Sequence, residues 1–279
     1  MIVTLTLNPA IDKSTEIERL VPEKKMRCAE LLVHAGGGGI NVSKAIQELG
    51  GESIAVFPYG GLNGQLLLEL VKGESVTASA IEVAANTREN FVATETSTNK
   101  QFRFVMPGDG LTGEEINRIK NTIREMKDVS FLICSGSLPP GVPDDFLAEI
   151  ADIAKQRGIK LIVDTSGTPL KAALQKGVFL AKPNLTELCA LAGKEYLDVS
   201  EIDEVAKEVI GRGSCEVLVV SMGPTGAMLV TKDDVKEFRA PAAKKQTTVG
   251  AGDSMVAGIV WMLEQGKSLH EAVQFGIAC

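Results

Sequence analysis

The chain has 279 residues, 44% hydrophobic and 23% charged, with a formal net charge of −7, which is enough to bury the core of one large α/β domain or two small ones. The acidic balance excludes a broad nucleic-acid surface, and no apolar run reaches the length that spans a bilayer, so basic ligands for an anionic substrate must be local. Five scattered cysteines without a C-x-x-C pair, and the distant His34 and His270, suggest neither a zinc site nor a disulfide framework; with an N-terminus that lacks a basic flank, they fit a cytoplasmic protein.

In chain order, residues 2–7 alternate and are rich in β-formers, and Asn8-Pro9 ends the pairing. Asp12 is therefore expected just past a strand end, the edge where open α/β sheets bind ligands, unless it is simply a turn aspartate. Residues 14–35 are charged and weakly alternating, with the cluster Glu23-Lys24-Lys25-Met26-Arg27. Gly36-Gly37-Gly38-Gly39-Ile40-Asn41 then feeds a helical pattern with Val42, Ala45, Ile46 and Leu49 on one face and Gly50-Gly51 as its stop. Consecutive glycines cost chain entropy, and a bound polyol or phosphate explains bare backbone there better than a linker. No Gly-Lys-Ser/Thr follows, so this is not a Walker A loop.

Residues 53–60 read as a strand and 63–72 as an amphipathic helix. Residues 87–106 are β-like, with Arg88 and Arg103 interrupting a thin apolar pattern. This segment and 14–35 share one character and are expected to form a small accessory sheet outside the main core. From 113 the pattern becomes regular: helices over 113–127, 143–156, 184–192 and 200–212 alternate with strands over 131–134, 161–164, 178–181, 217–220 and 227–230. Near-continuous apolar strands between helices imply a parallel sheet covered on both faces.

The strand ends collect polar residues: Ser135 and Ser137, then Asp164, Thr165 and Ser166, then Lys182 to Glu187, then Ser221 to Gly226. By the strand-end rule they line one cleft. Asn184-x-x-Glu187 is an ordinary capping box, or Glu187 carries the waters of a magnesium ion, which keeps several waters and uses few carboxylates. Near the end, Thr248-Val249-Gly250-Ala251-Gly252-Asp253-Ser254 runs straight into an apolar helical pattern. Glycines followed by a helix N-terminus make an anion site. A carboxylate would repel a phosphate there but would activate a hydroxyl beside it, whereas a plain turn needs neither. The last helical pattern, Ala272 to Ile277, reaches Cys279 with no stop signal, so the protein is expected to continue past this point.

Taken together, the glycine run at 36–41, Asn184-x-x-Glu187 and Thr248 to Asp253 resemble the ribokinase-like sugar kinases along the whole chain. Pro22 to Cys28, Phe102 to Gly108 and Ser135-Gly136-Ser137-Leu138-Pro139-Pro140-Gly141 are most similar to the branch that phosphorylates fructose 6-phosphate to fructose 1,6-bisphosphate with ATP. The resemblance implies one domain over 1–279, a three-layer α/β/α sandwich with a mostly parallel central sheet, and a β-lid at about 13–35 and 87–106 that builds a homodimer. It makes Asp253 the general base and Gly250, Ala251 and Gly252 the anion hole. Asp12, Gly37, Gly38 and Asn41 would hold sugar hydroxyls, and Lys25, Arg88, Arg103 and Ser137 the sugar's phosphate. Lys182, Asn184, Ser221, Gly223, Gly226 and Thr248 would line the ATP site, with Glu187 on Mg2+ through water and K+ as an expected monovalent cation. The alternatives are a 1-phosphofructokinase or a tagatose-6-phosphate kinase, relatives that typically carry a lysine in the glycine run, which this chain lacks, or a non-catalytic sensor of sugar phosphate or nucleotide on the same fold.

Overall fold

The computed structural model describes residues 1–241 and 250–279. β1 (Ile2–Leu5) is followed by β2 (Ala10–Ile17), β3 (Leu32–Gly36) and α1 (Gly38–Glu48), then β4 (Ser53–Tyr59), α2 (Gly61–Gly73), β5 (Thr77–Glu82) and a hairpin of β6 (Arg88–Glu95) and β7 (Lys100–Val105). Next come α3 (Gly113–Glu125), β8 (Phe131–Ser135), α4 (Phe146–Gln156), β9 (Lys160–Asp164), α5 (Gly167–Lys176), β10 (Val178–Ala181), α6 (Leu185–Ala192) and α7 (Ile202–Gly211). β11 (Cys215–Ser221), β12 (Gly226–Thr231), β13 (Val235–Arg239), α8 (Ala251–Glu264) and α9 (Leu269–Ala278) complete the chain.

The large sheet has nine strands in the order β13-β12-β11-β10-β9-β8-β1-β4-β5. Its strands split their side chains between two cores with period two. In β8, Leu132 and Cys134 join the core under α3 to α7, while Phe131 and Ile133 join the one under α1, α8 and α9. A third cluster, with Ile40, Phe57, Leu67 and Val71, seats α2 beside α1. The result is the expected three-layer sandwich. No helix among the described residues is long and apolar enough to cross a membrane.

Within this sheet β11, β10, β9, β8, β1, β4 and β5 run parallel, but β12 and β13 are antiparallel to their neighbours. An entirely parallel reading fails at this edge because residues 222–225 and 232–234 are too short to carry a crossover helix. β5, β13 and α5 are not legible as periodic patterns: the two strands lie toward the sheet edges with many exposed positions, and α5 opens on Gly-Thr-Pro.

The second sheet has four strands in the order β3-β2-β6-β7. It takes in the two thin charged segments and also reaches back to Ala10. Asp12 is thereby corrected: β1 stops at Leu5, and Asp12 lies inside β2, opposite His34 on one side and Asn90 on the other. Asn8-Pro9 breaks the pairing of one strand only for the chain to enter another sheet.

Candidate active site

Gly250 caps α8 with φ of 77°, a left-handed conformation that favours glycine, and Asp253 occupies the first turn. The N–H groups of this turn have no acceptor within the helix, and the helix dipole adds positive potential beside them. Asp253 is held at both oxygens: Asn41 Nδ2 donates to Oδ2 at 2.9 Å, and Ser135 Oγ donates to Oδ1 at 3.1 Å. Asn41 comes from α1, whose N-terminus docks on the end of β1 through Ile40 N–H donating to Thr6 Oγ1 at 2.9 Å. Ser135 closes β8. β1 and β8 are neighbours, with β4 continuing on one side and β9 on the other. Such a reversal of strand order leaves a crevice beyond the carboxyl ends of the strands.

Burial pushes the Asp253 carboxyl above its ordinary range; the bonds from Asn41 and Ser135 and the charge of Lys182 oppose this, and Asp12 adds to it. Lys182, just past β10 and only 6% exposed, pairs with Asp164 at 3.1 Å. Burial raises Asp164 to about 6, Lys182 opposes the rise, and Asp253 and Glu187 reinforce it. Four carboxylates, Asp12, Asp164, Glu187 and Asp253, and the Lys182 ammonium therefore share one electrostatic neighbourhood. A Cβ on Gly252 would stand 3.2 Å from Lys182 Nζ, so the lysine lies directly against the first turn of α8.

The glycine run is explained largely by the protein's own packing, a reason that patterning does not expose. A side chain at Gly36 would overlap the Asp12 carboxylate, one at Gly38 would overlap Ser135 Oγ and come within 2.8 Å of Gly136 N, and one at Gly39 would lie 2.8 Å from the Leu5 carbonyl oxygen. Gly37 is the N-cap of α1 with φ of 122°. The four residues let α1 descend onto β1, β8 and the small sheet at once, which is what carries Asn41 to Asp253.

On the small sheet, Asn90 joins three pieces. Its Nδ2 donates to Asp12 Oδ1 at 2.8 Å, and its Oδ1 accepts from Arg88 Nη1 at 3.2 Å and from Met106 N–H at 3.3 Å. Arg88 also donates to the carbonyls of Asn8 and Met106, and Asn8 Nδ2 donates to Ser137 Oγ at 3.3 Å. Asp12, Arg88 and Ser137 are thus brought together around Asn8 and Asn90. Lys25 and Arg103 lie apart from this network, exposed in the segment between β2 and β3 and on β7, where Arg103 donates to Gln101 Oε1 at 3.1 Å.

On the other side of the cleft, Asn184 and Glu187 form a complete capping box on α6: Asn184 Oδ1 accepts from Glu187 N–H and Glu187 Oε2 accepts from Asn184 N–H, both at 2.9 Å. The ordinary reading of that spacing is therefore present, and it uses one oxygen of each side chain. Ser221 N–H donates to the Pro183 carbonyl at 2.9 Å, which joins the ends of β10 and β11. Gly223 has φ of 60°, and Gly226 is bare because a side chain there would overlap the Phe238 carbonyl of the hairpin partner. Thr248 lies outside the described residues. Among the described residues no cluster of three or more His, Cys, Asp or Glu side chains could hold a metal ion.

Ser135 and Asp164, expected in the cleft only as polar strand-end residues, meet Asp253 and Lys182 respectively, and Asn90 joins the site from a position that no pattern marks. Ser135 and Asp164 carried a signal, since each is the polar residue that closes an apolar strand. Asn90, inside an alternating charged strand, carried none.

The model of the pfkB family carbohydrate kinases matches residues 1–279. The chain is 40% identical over 278 residues to the ATP-dependent 6-phosphofructokinase isozyme 2 of Escherichia coli K12, covering 99% of this chain and 90% of that protein. It is 42% identical over 278 residues to the Mycobacterium tuberculosis isozyme 2, covering 99% and 82% respectively. The crystal structure of Escherichia coli phosphofructokinase-2 in complex with fructose-6-phosphate superposes with a TM-score of 0.95 over 99% of this chain and 91% of that one, at 40% identity. With a base candidate at a helix N-terminus, a crevice at the strand reversal and a family match over its whole length, this chain belongs to the pfkB family of carbohydrate kinases.

Proposed function

We propose that the protein transfers the γ-phosphoryl group of ATP to the C1 hydroxyl of fructose 6-phosphate, giving fructose 1,6-bisphosphate and ADP. The observation that carries this reading is Asp253, a half-buried carboxylate held at both oxygens in the first turn of a helix. The hydroxyl proton passes to Asp253, the sugar oxygen bonds to the γ-phosphorus, and the bond to the bridging oxygen of ADP breaks. The N–H groups of Gly250, Ala251 and Gly252 receive the equatorial oxygens of the group in flight, where preorganised donors are most effective.

Asp12, Gly37, Gly38 and Asn41 hold the sugar hydroxyls, and Arg88, Ser137, Lys25 and Arg103 its phosphate. We assign Lys182, Asn184, Ser221, Gly223 and Gly226 to the nucleotide, and Thr248 on the resemblance alone. Glu187 fits Mg2+ through water, because its charge is felt at Asp164 within the cleft and one carboxylate suits an ion that keeps most of its waters. When bound, that ion neutralises charge on the transferred phosphates. A potassium site is expected from the resemblance alone.

Residues 1–279 act as one kinase domain in the cytoplasm, with the small sheet as a lid that excludes water from the transfer. Leu32, Phe104, Val105 and Met106 are exposed on or beside its outer strands, which supports pairing of two lids in a homodimer.

Arg103→Ala is expected to raise the KM for fructose 6-phosphate by about 10- to 100-fold with kcat little changed, the worth of a charge-assisted hydrogen bond. Because Arg103 is exposed, the thermal midpoint should stay put, and an unaltered KM would remove it from the phosphate site. A coupled assay of ADP release with fructose 6-phosphate, fructose 1-phosphate and tagatose 6-phosphate tests the substrate. The proposal expects the highest kcat/KM for fructose 6-phosphate. A preference for either of the others would move the chain to that branch, and no turnover of any by the folded protein would favour the sensor.

A further inference from the structure

We propose that Ser135 is a positioning residue for the base, its hydroxyl fixing the orientation of the Asp253 carboxylate from the end of β8. The inference rests on the reading of Asp253 as the base and adds a residue to it. Ser135 is 6% exposed, yet its hydroxyl does not turn back to the local backbone; it reaches across 118 residues of sequence to Asp253 Oδ1. With Asn41 on Oδ2, the bond stops rotation of the carboxylate about Cβ–Cγ, and each oxygen keeps a lone pair for an incoming hydroxyl.

The support behind Ser135 is itself clamped. Gly136 N–H donates to the Asp164 carbonyl at 3.1 Å, and Thr165 Oγ1 donates to the Gly136 carbonyl at 2.8 Å. Ser135 is also in register with Asp164 across β8 and β9. On its open side, the space that the hydroxyl occupies exists only because position 38 has no side chain. Two elements of the glycine-rich cleft are therefore shaped around one hydroxyl, a larger commitment than a satisfied buried serine requires. The other groups facing Asp253 are Asn41 on α1, Lys182 past β10, Asp164 at the end of β9 and Asp12 on β2.

Ser135→Ala is expected to lower kcat about tenfold or more, as loss of orientation does, with the KM for fructose 6-phosphate within about twofold of the parent and folding intact. The acid limb of the kcat/KM profile should move to higher pH, because the lost bond favours the ionised carboxylate. In the Asp253→Asn background the same substitution should cost nothing further, since a residue acting through another loses its effect when that other is gone. Ser135→Cys, similar in shape and a weaker donor, should fall between serine and alanine and decides the matter where alanine impairs folding. An unchanged kcat, an acid limb that does not move, or an equal loss in the Asp253→Asn background would overturn the proposal. Normal turnover by Asp253→Asn alone would instead overturn the base assignment, so the two failures are distinguishable.

Discussion

Asp253→Asn is expected to lower kcat by about 10²- to 10⁴-fold, the usual contribution of a positioned general base, while the KM for fructose 6-phosphate changes little. The amide keeps the shape and an oxygen to accept from Ser135 but cannot take the hydroxyl proton. The parent's kcat/KM should fall as pH drops through the raised pKa of Asp253, above the ordinary carboxylate range, and that limb should be absent from the residual activity of the variant. Stability gives an independent check. A carboxyl whose folded pKa is raised favours the fold below its unfolded pKa, and that contribution is lost as pH rises through the folded value. At neutral pH the amide removes this cost, so the variant should melt no lower than the parent. A kcat within tenfold of the parent would take the base role from Asp253.

Gly38→Ala should be nearly as damaging to catalysis, by a different route. The added methyl overlaps Ser135 Oγ and presses on the Gly136 amide, and the backbone on that side cannot yield as a flexible side chain would. Overpacking of this kind costs about 1–3 kcal/mol of stability, while displacement of the α1 N-terminus moves Asn41 and Ser135 off Asp253, where an error of about 1 Å can cost roughly 10²-fold in rate. The expected result is a folded protein with a modestly lowered thermal midpoint and kcat/KM reduced about 10²-fold. Gly73→Ala, at the end of α2 with open space around it, is the control and should alter neither. Full activity in Gly38→Ala would show that the packing of position 38 against Ser135 does not set the site.

Much of this arrangement was legible in the amino-acid pattern, and the limits have physical causes. The parallel strands were readable because burial on both faces demands continuous apolar runs, and the turn before Asp253 because a glycine cap and a helix start are local events. Asp12 was misplaced because Asn8-Pro9 marks the end of pairing without saying whether the chain leaves the fold or enters a second sheet. The edge strands β5 and β13 escape because each buries a single position, which leaves no apolar period to follow. In the glycine run three positions are also bare against Asp12, Ser135 and Leu5, neighbours that only the folded chain supplies. Asn90 was invisible for the same reason: its three partners come from β2, from β6 and from the residue after β7, and no spacing in one strand encodes them.

The proposed reaction moves one phosphoryl group and one proton. Phosphorus-31 NMR of the protein with ATP, Mg2+ and fructose 6-phosphate follows the group directly. The γ-phosphate signal is expected to give way to that of a second phosphomonoester on C1 of the sugar, in step with ADP. Release of inorganic phosphate without that signal, or ATP left unconsumed by the folded protein, would contradict it.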